Sequence, residues 1–418
     1  MNFKSIRENN FYNLILILNL VFCILWVLRV NTQPFSDFRY YYDVALNVTN
    51  GLPWGNTYTS VGYSIVLGGI FKIFGASFLV AKILNIFLVL INNIVFIKIL
   101  DKTNLKNIDK RFIFAFFAFF PNNIFYTSLI ANELMFTTIL LITTLVYLSN
   151  YKHKYILMGL LVGLNTMIKP FFIVFFFAIF IVDVFIDRKP MKSLKNSLLV
   201  LLFCCITISP WIYRNTKYVG EFTYVSNNAG IVLYINNNSQ NKTGRWMPAS
   251  DVENSIVNTD VYKNANMTEQ NKMLNSAAKK WILSHPKEFL QLGYTRLKNT
   301  YFLGDDIYYT TTGTNLSQFY KDTMFSYTNI LRKIIFAPAI LYIAIYSIII
   351  LISIFKRKTN LLNKFNLYTT VIFYMFTVIY FSTEGQGRYA FPLIFIFVYY
   401  FYLTMNFIIR KLLYKWRK

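Results

Sequence analysis

Apolar residues in this chain come in blocks of about 18 to 25, separated by short polar segments, and a block of that length crosses a ~30 Å hydrocarbon core as one α-helix. Ten spans follow from the pattern: Phe11–Val30, Ser77–Leu100, Phe112–Phe125, Leu134–Asn150, Tyr155–Ile168, Phe171–Phe185, Asn196–Tyr213, Ile334–Phe355, Phe365–Phe381 and Tyr389–Ile409. Two longer apolar stretches, 112–150 and 155–187, would each run about 50 Å or more as a single helix. Each therefore predicts a hairpin, turning at Pro121–Glu133 in the first and at Lys169–Pro170 in the second. The expected fold is an all-α polytopic membrane protein of about ten transmembrane helices with a mostly helical extracytoplasmic loop region. Residues 1–213 form an N-terminal membrane region of about seven helices, with a first outer loop at 31–76. Residues 214–333 form an extracytoplasmic loop or small domain, and 334–418 a C-terminal membrane region of about three helices with a basic tail.

Charge orients this threading. The 418 residues are 56% hydrophobic and carry a formal net charge of +24. That charge is divided among short loops between apolar runs, which marks topology rather than a nucleic-acid surface. Segments 1–10, 98–111, 152–154, 188–195, 356–364 and 410–418 hold 22 Lys and Arg, against four (Arg39, Lys72, Lys169 and Arg388) in the short loops of the opposite side. By the positive-inside rule both termini are cytoplasmic and the long loop 214–333 is outside. Lys4 and Arg7 precede a first span that lacks a small-residue cleavage site, so it is expected to be a retained anchor. The three cysteines, Cys23, Cys204 and Cys205, lie within apolar spans and offer neither a disulfide framework nor metal-ligand spacing. His153 and His285 are isolated, and two separated histidines do not make a metal site.

Any chemistry is then expected outside, where no ATP or nucleotide sugar is available. The acids on that face near the membrane are Asp37, Asp43, Glu133, Glu221 and Glu384, and the cations are Arg39, Lys169, Arg214 and Arg388. A carboxylate at a membrane surface can take a proton from an attacking hydroxyl, and a cation can stabilise a departing phosphate. The plainer role of a loop aspartate is solubility, and that of an interfacial cation is snorkelling to headgroups. Asp305-Asp306 has no nucleotide-sugar partner on this face and is expected to be a loop feature; Asp183 and Asp187 mark a span boundary; Gly159 and Gly163 suit close helix packing. In 277–297, Trp281, Ile282, Phe289, Leu290 and Leu292 stand among Lys279, Lys280, Lys287 and Arg296, as in helices at headgroup level, with Pro286 as a break.

Ser36-Asp37 with Tyr40 and Tyr41, then Ala45, Gly51, Gly62-Tyr63 and Phe74-Gly75, resembles the first outer loop of integral-membrane glycosyltransferases of the GT-C class. The branch is that of aminoarabinose transferase and protein O-mannosyltransferases (glycosyltransferase family 39-like). Further matches follow in order: Pro121 with Asn132-Glu133, Gly159 to Gly163 before Lys169, Pro210-Trp211 with Arg214-Asn215, His285-Pro286 with Phe289-Leu290, and Gly387-Arg388-Tyr389 with Pro392. Together they cover roughly residues 1 to 400, and their order and shared topology carry more than any one motif. The resemblance implies an inverting transfer from a polyprenyl-phosphate sugar donor to an acceptor hydroxyl on the outer face. Asp37 would be the general base. Arg388, Arg214, Lys169 and Arg39 would hold the donor phosphate, and Glu133, Glu384, Tyr40, Tyr63 and Tyr389 would bind sugar or acceptor. At Lys169 this chain departs from the arginine that many members of that family carry.

The expected partners are thus the lipid-linked donor, an envelope glycan, lipid or protein acceptor, and membrane lipids; nucleic acid is not among them. No cofactor follows, no metal-ligand cluster is evident, and assistance by a divalent metal stays open. The Lys, Asn, Ile and Phe bias suits an AT-rich bacterial genome and hence a bacterial cell membrane. Two alternatives stand beside this reading. An O-antigen-type polymerase or ligase would place its catalytic cations in the large outer loop. A lipid-linked oligosaccharide transporter would carry charges in mid-span, and apart from Lys82 these are almost absent.

Overall fold

The computed structural model describes residues 10–356 and 362–416. Every regular element among them is helical. Seven segments are long and apolar enough to cross a membrane: Asn10–Arg29, Phe78–Asp101, Pro170–Asp187, Pro190–Val219, Gln318–Phe355, Lys364–Ser382 and Gly387–Lys411. The chain is a multi-pass membrane protein, and these seven coincide with seven of the ten expected spans. Two more, Glu133–Leu148 and Lys154–Ile168, are shorter apolar helices of about 24 and 22 Å at 1.5 Å per residue.

The tenth expected span, Phe112–Phe125, is broken. A helix over Asn107–Ala118 stops, and a second begins at Pro121 and runs to Phe125. Proline lacks the amide that would continue the first helix but suits the first turn of the next. The opposite departure occurs in residues 31–76, the expected first outer loop, which the pattern left without a span. It folds into two helices, α1 (Ser36–Thr49) and α2 (Gly62–Phe74). Both hairpin turns fall as expected: α3 (Glu133–Leu148) starts after the Pro121–Asn132 turn, and α4 (Lys154–Ile168) ends at Lys169–Pro170.

Small residues let α4 lie close against α5 (Pro190–Val219). A Cβ on Gly159 would sit 2.7 Å from the Val200 carbonyl oxygen, and one on Gly163 would overlap Thr207. The segment beyond α5 gathers a small apolar cluster of Tyr234, Ile235, Val252, Leu274 and Ala278. Its helices α6 (Met267–Ser284) and α7 (Pro286–Phe302) are separated at His285–Pro286, where the sequence placed a break. The helices flanking this region continue past the expected span edges: α5 reaches Val219, and α8 (Gln318–Phe355) begins well before Ile334. One consequence is that Arg332 belongs to the buried face of a helix.

Candidate active site

Six of the expected site residues meet where turns interrupt the helices at one end of the bundle. Asp37 lies in the first turn of α1, directly after Ser36, whose φ of 46° is in the left-handed region. A non-glycine residue there costs roughly 1–2 kcal/mol and is uncommon outside functional sites and tight turns. The Asp37 carboxylate faces Arg388, with Oδ2 3.2 Å from Nη2. Arg388 comes from the 3-10 turn Gly387–Leu393, which α9 (Ile394–Trp416) follows. Its guanidinium carbon is 5.4 Å from the centre of the Tyr389 ring and 5.5 Å from that of Phe38.

The same tyrosine ring is shared by a second cation. Lys169 Nζ is 5.6 Å from the Tyr389 ring centre and 3.6 Å from Glu133 Oε1, at the start of α3. Burial lowers the Lys169 pKa, partly opposed by Glu133, and Arg388 lowers it further. The Tyr389 hydroxyl donates to Glu384 Oε2 at 2.7 Å, and Glu384 Oε1 accepts from the Trp246 amide at 3.1 Å and from Gln386. Asp37, Arg388, Lys169, Glu133, Tyr389 and Glu384 therefore form one chain of contacts through a single aromatic ring.

Three polar atoms in this group are buried with no hydrogen-bond partner: Arg388 Nε, Glu133 Oε2 and Tyr63 Oη. Orphaned buried polar atoms cost about 1–3 kcal/mol each, and others occur at Asp306 and Arg332 and elsewhere among the described residues. Tyr63 stands edge-on to Tyr41 at 5.8 Å, and the Tyr41 hydroxyl accepts from Asn132 at 3.2 Å. Burial, followed by the charge of Asp37, raises the Tyr41 pKa.

Three expected residues lie elsewhere. Arg39, two positions after Asp37, is on another side of α1 and forms an exposed i,i+4 pair with Asp43 at 2.9 Å. Arg214 donates to the Gly55 carbonyl at 2.5 Å and to Asn215, and stacks on Trp211 with its guanidinium 4.7 Å from the ring centre. Tyr40 is near it, donating to Asn56 at 3.2 Å. Arg214 lines a groove of about 550 Å³ with Pro53, Trp54, Ile65, Met167, Pro210 and Trp211, which reaches within two residues of Lys169. Another concavity of about 340 Å³, at Met191 to Leu202, is an apolar strip of one helix without acids.

The reading of Asp305-Asp306 as a loop feature is corrected. Asp306 is 1% exposed, accepting from Tyr126 at 2.6 Å and Asn122 at 2.7 Å, and pairing with Arg332 Nη2 at 3.1 Å. Burial raises its pKa while Arg332 pulls it back. Asp305 pairs with Arg245 instead. Arg332 was legible in principle, because Thr328, Arg332, Ile335, Phe336, Ala339 and Ile343 recur at helical spacing and are all buried. No group of three or more His, Cys, Asp or Glu able to hold a metal occurs among the described residues.

Comparison with protein-family models and with curated proteins finds no match. Among solved structures, the chain is similar to the oligosaccharyltransferase of Archaeoglobus fulgidus, whose crystal structure was obtained with an acceptor peptide containing the NVT sequon tethered by a disulfide bond. The two share 10% identity with a TM-score of 0.52 over 99% of this chain and 51% of the other. This chain thus spans about half the length of that relative. At that identity the likeness concerns the fold alone, an all-helical membrane architecture.

Proposed function

We propose that this chain is a membrane glycosyltransferase that moves a sugar from a polyprenyl-phosphate donor to an acceptor hydroxyl at the outer surface, with inversion. The observation that carries the reading is the Asp37–Arg388 contact of 3.2 Å, with Lys169 on the same Tyr389 ring. One carboxylate and two cations are the parts such a transfer requires. Asp37 takes the acceptor proton as the hydroxyl oxygen attacks the anomeric carbon. The bond from that carbon to the phosphate oxygen breaks, and the phosphate leaves with the electron pair, stabilised by Arg388 and Lys169. Arginine suits this task because its planar fork can meet two phosphate oxygens at once.

The donor phosphate, on binding, takes over the guanidinium of Arg388 and frees Asp37 for the acceptor. The unpartnered Glu133 Oε2 and Tyr63 Oη take hydroxyls of the sugar or acceptor, while Glu384 fixes Tyr389. The groove beside Arg214 supplies apolar lining for the lipid chain. The 22-to-4 distribution of Lys and Arg supports a site outside the membrane with cytoplasmic termini. A protein acceptor gains support from the acceptor peptide of the archaeal relative; a glycan or lipid fits the same chemistry. The test is mass spectrometry of envelope glycans, lipids and proteins from a bacterial host with and without the protein. A sugar present only with it supports the reading, and identical profiles together with no transfer from polyprenyl-phosphate sugars in nanodiscs would contradict it.

A further inference from the structure

Beside the open Asp37–Arg388 pair lies a closed one, and the two are joined through backbone. Arg332 has no exposed surface, and its Nη1 donates to the carbonyls of Leu303 and Gly387, each at 2.9 Å. Gly387 immediately precedes Arg388. A Cβ on Gly387 would lie 2.6 Å from Asp306 Oδ1 and from the Leu303 oxygen, and 3.1 Å from Arg332 Nη1, so the glycine backbone rests directly on the pair. Asp306 in turn is held by Tyr126 and Asn122, on the broken segment that begins at Pro121.

Stability alone gives little reason for this arrangement, since a buried ion pair is often no better than apolar residues of similar volume. Arg388, by contrast, needs an anchored backbone. Its charged contact to Asp37 is 3.2 Å, and its Nε has no partner, so its own hydrogen bonds set its direction weakly. We infer that Asp306 and Arg332 are positioning residues, which fix the Gly387 carbonyl and thereby aim the Arg388 guanidinium at Asp37 and the donor phosphate. The inference rests on the donor reading above.

The experiment is a double-mutant cycle on the full chain in nanodiscs, reading equilibrium binding of undecaprenyl monophosphate. Arg332→Lys keeps the charge beside Asp306 but loses the fork that reaches two carbonyls. It should weaken binding roughly tenfold, the scale of one charge-assisted hydrogen bond. Arg388→Lys should do the same, and the double variant should be within about twofold of Arg388→Lys alone, because coupled residues do not add. Losses that multiply, or wild-type binding by Arg332→Lys, would overturn the positioning role. If Arg332→Lys fails to fold, Tyr126→Phe removes one donor to Asp306 with all charges kept; about threefold weaker binding, again absent in the Arg388→Lys background, is expected. Tyr126→Phe binding like wild type would likewise overturn the role. No binding by the wild-type chain would overturn the donor reading and the positioning with it, whereas wild-type binding with multiplying losses would overturn the positioning alone.

Discussion

Two carboxylate–guanidinium pairs stand at the same end of this bundle, and they differ in how completely they are used. In Asp306–Arg332 both side chains are sealed (1% and 0% exposed), and tyrosine, asparagine and backbone carbonyls take up most of their remaining bonding capacity. In Asp37–Arg388 the aspartate side chain is 51% exposed and the arginine 13%, and one 3.2 Å contact links the pair; the Nε of both arginines, Arg388 and Arg332, is buried without a partner. The closed pair is sealed from any ligand; the open one presents a half-exposed carboxylate beside a guanidinium. The difference in burial is what assigns the proposed chemistry to one pair and the proposed scaffold role to the other, among charges that look alike in the sequence.

Breaking the closed pair should have the largest effect on folding. Asp306→Ala leaves the Arg332 charge buried without a counter-charge, which costs about 3–5 kcal/mol. A large loss of thermal stability in detergent is expected, while the corresponding change at Asp37 should cost less, because Asp37 is 51% exposed and Arg388, 13% exposed, keeps its contacts with the Phe38 and Tyr389 rings. Equal melting shifts for the two would erase the comparison. Next in size, Arg388→Ala should weaken donor binding by roughly ten- to a hundredfold, the scale of charged hydrogen bonds lost together; unchanged donor titrations would move the phosphate role to Arg214 or Lys169.

Lys169 sharpens the comparison through pH. Burial lowers its pKa, so it loses its charge at a lower pH than an ordinary lysine. Donor affinity should therefore decline on the alkaline side before the usual lysine range, and Lys169→Arg should carry the decline to higher pH. A profile that the arginine does not move would remove Lys169 from the phosphate site. The smallest effect belongs to Arg39, whose exposed pair with Asp43 predicts a change of about 0.5 kcal/mol or less for Arg39→Ala, with donor binding unaltered by titration.

Much of the architecture was legible because membrane spans are written in long apolar runs. Seven spans and both hairpin turns follow from those runs and from Pro121 and Pro170. The breakdown came where apolar length is ambiguous: Phe112–Phe125 splits at a proline, and Gly62–Phe74 is too short to stand out as a span. In the site, Asp37, Glu133, Lys169, Glu384 and Arg388 could be nominated because few charges lie in the short loops expected outside, and Tyr389 from its place beside Arg388 in the motif that the resemblance singled out. Their joining through the Tyr389 ring could not, because it depends on packing between α1, α3, α4 and the turn before α9. Arg332 was missed because the apolar run beginning at Ile334 disguised a helix that starts at Gln318.

The central claim is that Asp37 is the general base, and the most direct measurement is sugar transfer by Asp37→Asn in nanodiscs supplied with polyprenyl-phosphate sugars. The substitution keeps the side-chain shape and removes the proton acceptor. Loss of transfer by about a hundredfold or more is predicted, the range of general-base catalysis, with donor binding and melting temperature retained. Transfer at the wild-type rate would contradict the account.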